Sequence, residues 1–472
     1  MLDRQPGRPG DRVFRVPRIK AWKVELPSVT KPRIGAPSPF IIVYGFLGAI
    51  ALGTLLLALP VSSRSGDFTS FTNALFTATS AVCVTGHVVV DTGTYWSSFG
   101  QAVILLLIQI GGFGFMTSAT LFLLLLGRKI GLRERLLIGE SLSHQRLGGV
   151  LGIVRRIAIF TLIAEVIGAV VLIARFWGHY SAGTAVWRGV FHSVSAFNNA
   201  GFDVFGGYAS LSGFRTDPVV VLVMAALIVL GGISFVVFAD VLSLRRFSRL
   251  SLDTKIVLIT SAALLVLGAV VFLVTEYSNA ATLGDLSFSQ KVSNAFFQSV
   301  TGRTAGFSTF SMGGVADYTL FFTIILMFIG GAVASTAGGI KVNNFGMLAA
   351  TIWSAIKGRE HPGAFGREFR AEQIHRALAI VMLSLGLVVL VVFILALTED
   401  FRFVNILFEA VSAFGTVGLS TGIVPGFSVA GRLILTATMF AGRLGPLALG
   451  LSLTQRQRPT AYRYPRDDVR IG

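Results

Sequence analysis

Long apolar runs and shorter ones alternate in a pattern that recurs four times along the chain. Runs at about 38–60 and 98–126, 153–176 and 217–242, 254–275 and onward from 318, and 377–397 and 429–453 pair up in sequence. Each approaches or exceeds the ~20 residues that cross hydrocarbon as a helix. Between the members of each pair lies an apolar stretch too short to cross, at about 71–81, 185–196, 290–301 and 403–413. The pattern predicts an all-α membrane protein of four membrane–pore–membrane repeats, with eight transmembrane helices and four re-entrant pore hairpins around a single pore. The expected organisation is an arm at 1–37, repeats at 38–127, 128–250, 251–357 and 358–455, and a tail at 456–472.

The short stretches resemble one another. They start at Phe76, Phe191, Phe296 and Phe408, and each reaches a glycine ten residues later, at Gly86, Gly201, Gly306 and Gly418. The glycines lie 115, 105 and 112 residues apart. Repetition at that spacing is read before any other feature. Each stretch is expected to be a short helix followed by an extended strand that ends on the glycine.

Charge distribution adds an orientation. Only 13% of the 472 residues are charged, against about a quarter in soluble domains. The net charge is +17, which by itself invites a nucleic-acid partner. Thirty of the 40 Lys and Arg, however, fall in segments 1–37, 128–156, 245–255, 357–376 and 456–470. The opposite loops carry Asp91, Asp203, Glu276, Asp285, Asp317, Glu399 and Asp400. Basic residues concentrate on the cytoplasmic side, so both termini are expected inside and no nucleic acid is required. The first forty residues lack an apolar core with a small-residue cleavage site, and no signal peptide is expected. A single cysteine, Cys83, excludes an intrachain disulfide and a cysteine-built metal site; it is expected to be a small buried residue.

Non-helical backbone at membrane depth is tolerated where it is buried in protein or lines water. Four such strands suit a pore in which backbone carbonyls replace the hydration shell of a monovalent cation. A half-helix running inward points its partly negative C-terminus at that cation. The residues expected to bind it are Val84, Thr85 and Gly86; Asn199, Ala200 and Gly201; Thr304, Ala305 and Gly306; and Thr416, Val417 and Gly418. None is acidic, so a carboxylate ring for divalent ions is not indicated.

These stretches, with Thr85-Gly86, Asn199-Ala-Gly-Phe202, Arg303-Thr-Ala-Gly-Phe307 and Gly415-Thr-Val-Gly-Leu419, resemble the pore loops of the Trk/Ktr/HKT potassium-transporter superfamily. The resemblance covers about residues 38–455. It implies one quarter of a potassium filter per repeat, and glycine at all four positions goes with potassium selectivity in that superfamily. The hydrophilic arm, in place of two extra spans, fits the Ktr type. That type implies a homodimer with one pore per protomer and a cytosolic nucleotide-binding regulatory ring (KtrA/TrkA-like). No nucleotide fingerprint occurs in this chain, so ATP or ADP is expected to act through that partner alone. The expected substrate is K+, with Na+ as a candidate activator, in a multi-pass bacterial plasma-membrane protein. Its basic inner loops could dock the ring or contact anionic lipid.

Residues 329–345 set paired glycines and small residues inside a span, which argues for a broken helix. The superfamily places a gating loop beneath the filter there. Gly330, Gly331, Ala332, Ser335, Thr336, Gly338, Gly339 and Lys341 are the expected gate, with Lys341 facing the inner vestibule or the headgroups. Arg443, at the place of the second glycine in the pairs Gly111-Gly112 and Gly231-Gly232, joins them. An arginine in mid-span costs at least about 2.5 kcal/mol to insert and usually faces a cavity or a partner, so Arg443 is expected to point into the pore below the filter, with a structural ion pair or carbonyl cap as the alternative. Arg303 is expected to brace the filter. His87 departs from the pattern and is expected as an exposed histidine at the outer mouth, or one titrating there. Two other classes remain open: a secondary transporter on broken helices, and a Trk-type potassium or potassium/sodium subunit. A membrane enzyme would need clustered acid, base or metal ligands, which the sequence does not present.

Overall fold

The computed structural model describes residues 40–114 and 150–445, which form fifteen α-helices and one two-residue-stranded hairpin. The predicted arm, the inner loop up to residue 149, the ends of the spans at 98–126 and 429–453 and the tail lie outside the described residues.

The first unit holds α1 (Phe40–Ala58), the short α2 (Phe71–Val82), a single turn α3 (Thr92–Tyr95) and α4 (Ser98–Phe113). The second holds α5 (Val150–Phe176), α6 (Ala182–Phe197), α7 (Pro218–Gly232) and α8 (Phe235–Leu244). The third holds α9 (Leu252–Thr275), α10 (Phe288–Thr301), α11 (Asp317–Phe328) and α12 (Val342–Ile356). The fourth holds α13 (Ala371–Thr398), α14 (Phe403–Gly415) and α15 (Val429–Leu444). Side chains start many of them. Ser97 and Ser428 accept N–H bonds from Gly100 and Gly431, and Asp217 accepts one from Val219 at 2.9 Å. Such caps satisfy amides that the helix itself leaves unpaired.

The outside is apolar and the inside polar. Leu378, Met382, Val389, Phe393 and Leu397 of α13 are exposed, whereas Ser80, Gln298, Ser299, Glu409 and Ser412 are buried. A belt of exposed large apolar side chains is untenable in water and suits lipid. Among the described residues α5, α9 and α13 are long and apolar enough to cross a membrane, with the bent pair α7–α8 as a fourth.

In every unit the first long helix packs on its own short helix: α1 on α2, α5 on α6, α9 on α10, α13 on α14. The return helix of each unit then packs on the short helix of the next: α4 on α6, α7 on α10, α11 on α14 and α15 on α2. The last contact joins the end of the chain to its beginning and closes the circle.

Two expectations need correction. The return span predicted as one run at 217–242 is bent by 93° between α7 and α8. Gly231 and Gly232 end α7, and Ser234 caps α8 by accepting the Val236 N–H at 3.3 Å. The freed carbonyls of Gly231 and Gly232 accept N–H groups of Thr336 and Ala332 from the third unit. Tertiary bonding, invisible to a hydropathy pattern, thus pays for the break. His87 is buried at 1% exposure, not exposed, because it points between units toward Glu409.

Candidate ion-conducting site

The short helices α2, α6, α10 and α14 each run into a three-residue segment with one backbone pattern. Val84, Asn199, Thr304 and Thr416 have φ of 56°, 56°, 74° and 49°. Gly86, Gly201, Gly306 and Gly418 follow two residues later at 90°, 71°, 79° and 85°. The residues between them, Thr85, Ala200, Ala305 and Val417, are not among the positive-φ residues. The strand is therefore not uniformly extended, as the sequence suggested, but alternates in hand. Alternation turns successive carbonyls toward one side, which a pleated strand does not do. Left-handed Val84, Thr304 and Thr416 are β-branched, and each such residue costs about 1–3 kcal/mol unless its surroundings hold it.

The four glycines meet. A Cβ on Gly201 would lie 2.8 Å from the Ala305 carbonyl oxygen, and one on Gly306 would lie 2.6 Å from that of Val417. A Cβ on Gly86 would press still harder on the Ala200 oxygen, and one on Gly418 hardest of all, on the Thr85 oxygen. The order is cyclic, first unit to second, third, fourth and back to first. Only glycine leaves room for backbone at this separation and accepts the positive φ.

Hydroxyl groups hold the strands from behind. Ser195 donates to the Phe202 carbonyl at 2.8 Å, Thr301 to Phe307 at 2.6 Å, and Ser412 to Leu419 at 2.7 Å. Ser80 and Ser412 accept the N–H groups of Gly86 and Gly418, both at 3.1 Å. The third unit differs in register. Its hydroxyl lies five residues before the glycine, whereas Ser80, Ser195 and Ser412 lie six before theirs. The fully buried aromatic equivalent to Phe76, Phe191 and Phe408 is accordingly Phe297, not Phe296.

Outside the ring opens a cavity of about 730 Å³, lined by the four glycines with Asp91, Asp203, Ser308 and Ser420 among others. Asp91 accepts N–H groups of Thr94 at 2.9 Å and of Tyr208, in the second unit, at 3.0 Å. Asp203 accepts the Phe205 N–H at 3.1 Å. Burial first, and the neighbouring Asp91 charge second, push the Asp203 carboxyl up to about 6. At the seam between the fourth and first units, His87 Nε2 lies 3.2 Å from Glu409 Oε2 and 3.3 Å from the Leu419 carbonyl oxygen. Glu409 Oε1 also takes bonds from Ser420 Oγ, Thr421 N and Thr421 Oγ1 at 2.7–2.9 Å. Sequence reasoning missed Glu409; an acid inside an apolar short helix was the signal, because such a group is costly without partners. Glu165, on α5, was missed for the same reason. It takes a bond from Asn198 Nδ2 at 3.0 Å, and Asn198 also bonds Gln109.

Beneath the ring, the chain between α11 and α12 is non-helical from Ile329 to Lys341, as the paired glycines predicted. The Gly330 N–H donates to the Ile340 carbonyl at 2.8 Å and the Val342 N–H to Gly331 at 3.0 Å, pinching the loop at its base. Ser335 Oγ donates to the Ala332 carbonyl at 2.7 Å. Gly338 faces the Thr416 side chain, and Gly339 lies against Gly415, so the loop touches the foot of the fourth strand. Three cations hold it. Arg443 donates to the carbonyl oxygens of Thr336 and Gly111, Lys341 folds back on the Ala337 carbonyl, and Arg303 donates to Gly330 at 3.2 Å and to Ser261. Arg443 thus spends its donors on carbonyls, as in the carbonyl-cap alternative, Lys341 turns into the loop instead of toward headgroups, and Arg303 joins α9 to the start of the loop. Cys83 is fully buried.

Among the described residues no group of His, Cys, Asp and Glu could hold a metal ion. The arrangement offers backbone oxygens in a ring, a carboxylate-bearing antechamber outside and a cation-clamped loop below.

The chain is 42% identical to the Ktr system potassium uptake protein B of Bacillus subtilis, covering 92% of this chain and 96% of that one. It is 39% identical to the potassium/sodium uptake protein NtpJ of Enterococcus hirae, covering 92% and 96%. The fold resembles the crystal structure of the potassium transporter TrkH from Vibrio parahaemolyticus, with a TM-score of 0.68 at 19% identity over 93% of this chain and 87% of that one. Residues 33–457 match the family model described as TrkH, cation transport protein. The chain therefore belongs to the TrkH family of cation transport proteins.

Proposed function

We propose that this chain is the pore-forming subunit of a Ktr-type potassium uptake system in the plasma membrane, with both termini inside and eight crossings. The observation that carries the reading is the ring of Gly86, Gly201, Gly306 and Gly418, each against a carbonyl of the next unit. A dehydrated monovalent cation exchanges its water for the oxygens of residues 84–86, 199–201, 304–306 and 416–418. The outer carboxylates of Asp91 and Asp203 raise the cation concentration at the entrance. The loop at 330–341, held by Arg443 and Lys341, is the barrier below.

In the proposed assembly two protomers pair, each with its own pore, and a cytosolic nucleotide-binding ring acts on the inner face. Ring movements release the loop, and ATP or ADP acts through that partner. A second reading, uptake of both potassium and sodium, follows from the likeness to NtpJ, a potassium/sodium uptake protein.

Flux into liposomes from purified protein, potassium against sodium, tests both. Potassium-selective flux supports the first reading, comparable fluxes support the second, and absence of either flux with partner present overturns the pore.

A further inference from the structure

We propose that His87 and Glu409 are positioning residues, a latch that closes the carbonyl ring between the first and fourth units and sets its discrimination between potassium and sodium. The inference rests on the filter reading above.

The seam where the circle closes differs from the other three. Asp91 and the Tyr208 N–H join the first unit to the second. Backbone and hydroxyl bonds between residues 210–211 and Ser308 join the second to the third. Gly313 packs against the Thr421 carbonyl between the third and the fourth. Those links lie two or more residues past the ring glycines. His87 and Leu419, by contrast, are the residues immediately after Gly86 and Gly418.

The first unit also lacks a strap that the others have. Ser195, Thr301 and Ser412 tie down the carbonyl after the glycine in their own units. Among the described residues, Ser80 binds only the Gly86 N–H and nothing holds the His87 carbonyl. The first strand is anchored instead through the His87 side chain, across the seam. Nε2 bonds the Leu419 carbonyl and so carries the proton; Glu409 Oε2 lies 3.2 Å from it as an ion-pair neighbour without a hydrogen bond of its own. The two side chains have no solvent exposure, and Nδ1 has no partner. Water therefore cannot replace the bond if the histidine is lost.

Glu409 is fixed independently, by three donors from Ser420 and Thr421. It stands as a rigid, oppositely charged neighbour of the bond that ties the first strand to the Leu419 carbonyl. The overlap that a Cβ would meet is deepest at this same seam, Gly418 against Thr85. A small shift of the first strand there changes how closely its carbonyls approach an ion. Cation discrimination depends on the spacing and number of those oxygens.

The test is the potassium-to-sodium flux ratio of purified full-length protein in liposomes, which does not depend on how much protein inserts. His87→Gln keeps a donor for the Leu419 carbonyl and is expected to hold the ratio within about twofold of wild type. His87→Leu removes the donor and is expected to lower the ratio about fivefold, the loss of one buried hydrogen bond to a carbonyl. If the leucine variant fails to fold, His87→Asn, polar but too short to reach, carries the same expectation. A wild-type ratio in folded His87→Leu or His87→Asn overturns the latch and leaves the filter standing. A wild-type protein that does not discriminate overturns the filter reading and the latch with it.

Discussion

Arg443, near the end of the last described helix, donates to the backbone carbonyl of Thr336 in the loop of the third unit. A second guanidinium nitrogen reaches Gly111, in the return helix of the first unit. One side chain thus clamps the loop of the third unit to two other quarters of the molecule, and places a positive charge under the ring. Arg443→Gln keeps one amide donor and removes the charge. Cation flux is expected to rise about three- to tenfold at equal protein, while Arg443→Lys, which keeps the charge but not the fork, falls between. Initial rates of rubidium uptake normalised to membrane protein measure this, and an unchanged rate in the glutamine variant would remove Arg443 from the barrier.

The ring glycines should not be equally sensitive. A Cβ meets the neighbouring carbonyl at 2.8 Å from Gly201 and 2.6 Å from Gly306, and closer still from Gly86 and Gly418. All four sites also carry positive φ, which strains any other residue by about 1 kcal/mol or more. Alanine at Gly418 or Gly86 is expected to abolish flux, and alanine at Gly201 to leave a measurable remainder. The reverse order would mean that the ring is not the narrowest point.

Gly338 fits beneath the fourth strand only because it has no side chain, since a Cβ there would strike the Thr416 side chain. Gly338→Ala is expected to push the loop off the ring and raise flux several-fold in the absence of a partner, a change of roughly 1 kcal/mol in the closed state. Thr416→Ala, which removes the hydroxyl that the Cβ would strike first, should bring the double variant part of the way back. Additive effects in a double-mutant cycle would contradict the contact.

Acid should weaken the entrance. Asp203 is held up near 6, chiefly by burial and then by Asp91, so it is charged at pH 7.5 and largely neutral at pH 5. At low ionic strength, flux from a dilute cation solution is expected to fall severalfold across that interval, because the vestibule loses attraction for cations. Asp203→Asn should give the low value at both pH values. The stability linkage runs the other way. A carboxyl whose folded value exceeds its unfolded one contributes most below about 4 and loses that contribution as pH rises through about 6. Thermal unfolding in detergent should therefore show the wild type gaining on Asp203→Asn as pH falls from 7.5 to 5.

Much of the site was legible in the chain because glycine and apolar length are local signals. The repeated Phe-to-Gly spacing located all four ring glycines, and the paired glycines at 330–331 and 338–339 located the broken helix. Gly231 and Gly232 carried the same signal for a second break, but nothing local revealed that Ala332 and Thr336 would take up their carbonyls. The shift from Phe296 to Phe297 was hidden because two phenylalanines stand side by side and only burial separates them.

The sequence by itself determined which segments are apolar, which are too short to cross, where charge asymmetry lies and where backbone needs glycine. Those follow from the residue-by-residue cost of moving groups between water and hydrocarbon and from the room a missing Cβ leaves. Only the tertiary structure decided that the fourth unit closes on the first, that His87 turns inward to Glu409, and that Arg443, Lys341 and Arg303 spend their donors on loop carbonyls. A buried polar group takes whatever partner the folded chain brings within reach, and a partner 332 residues away cannot be read from spacing.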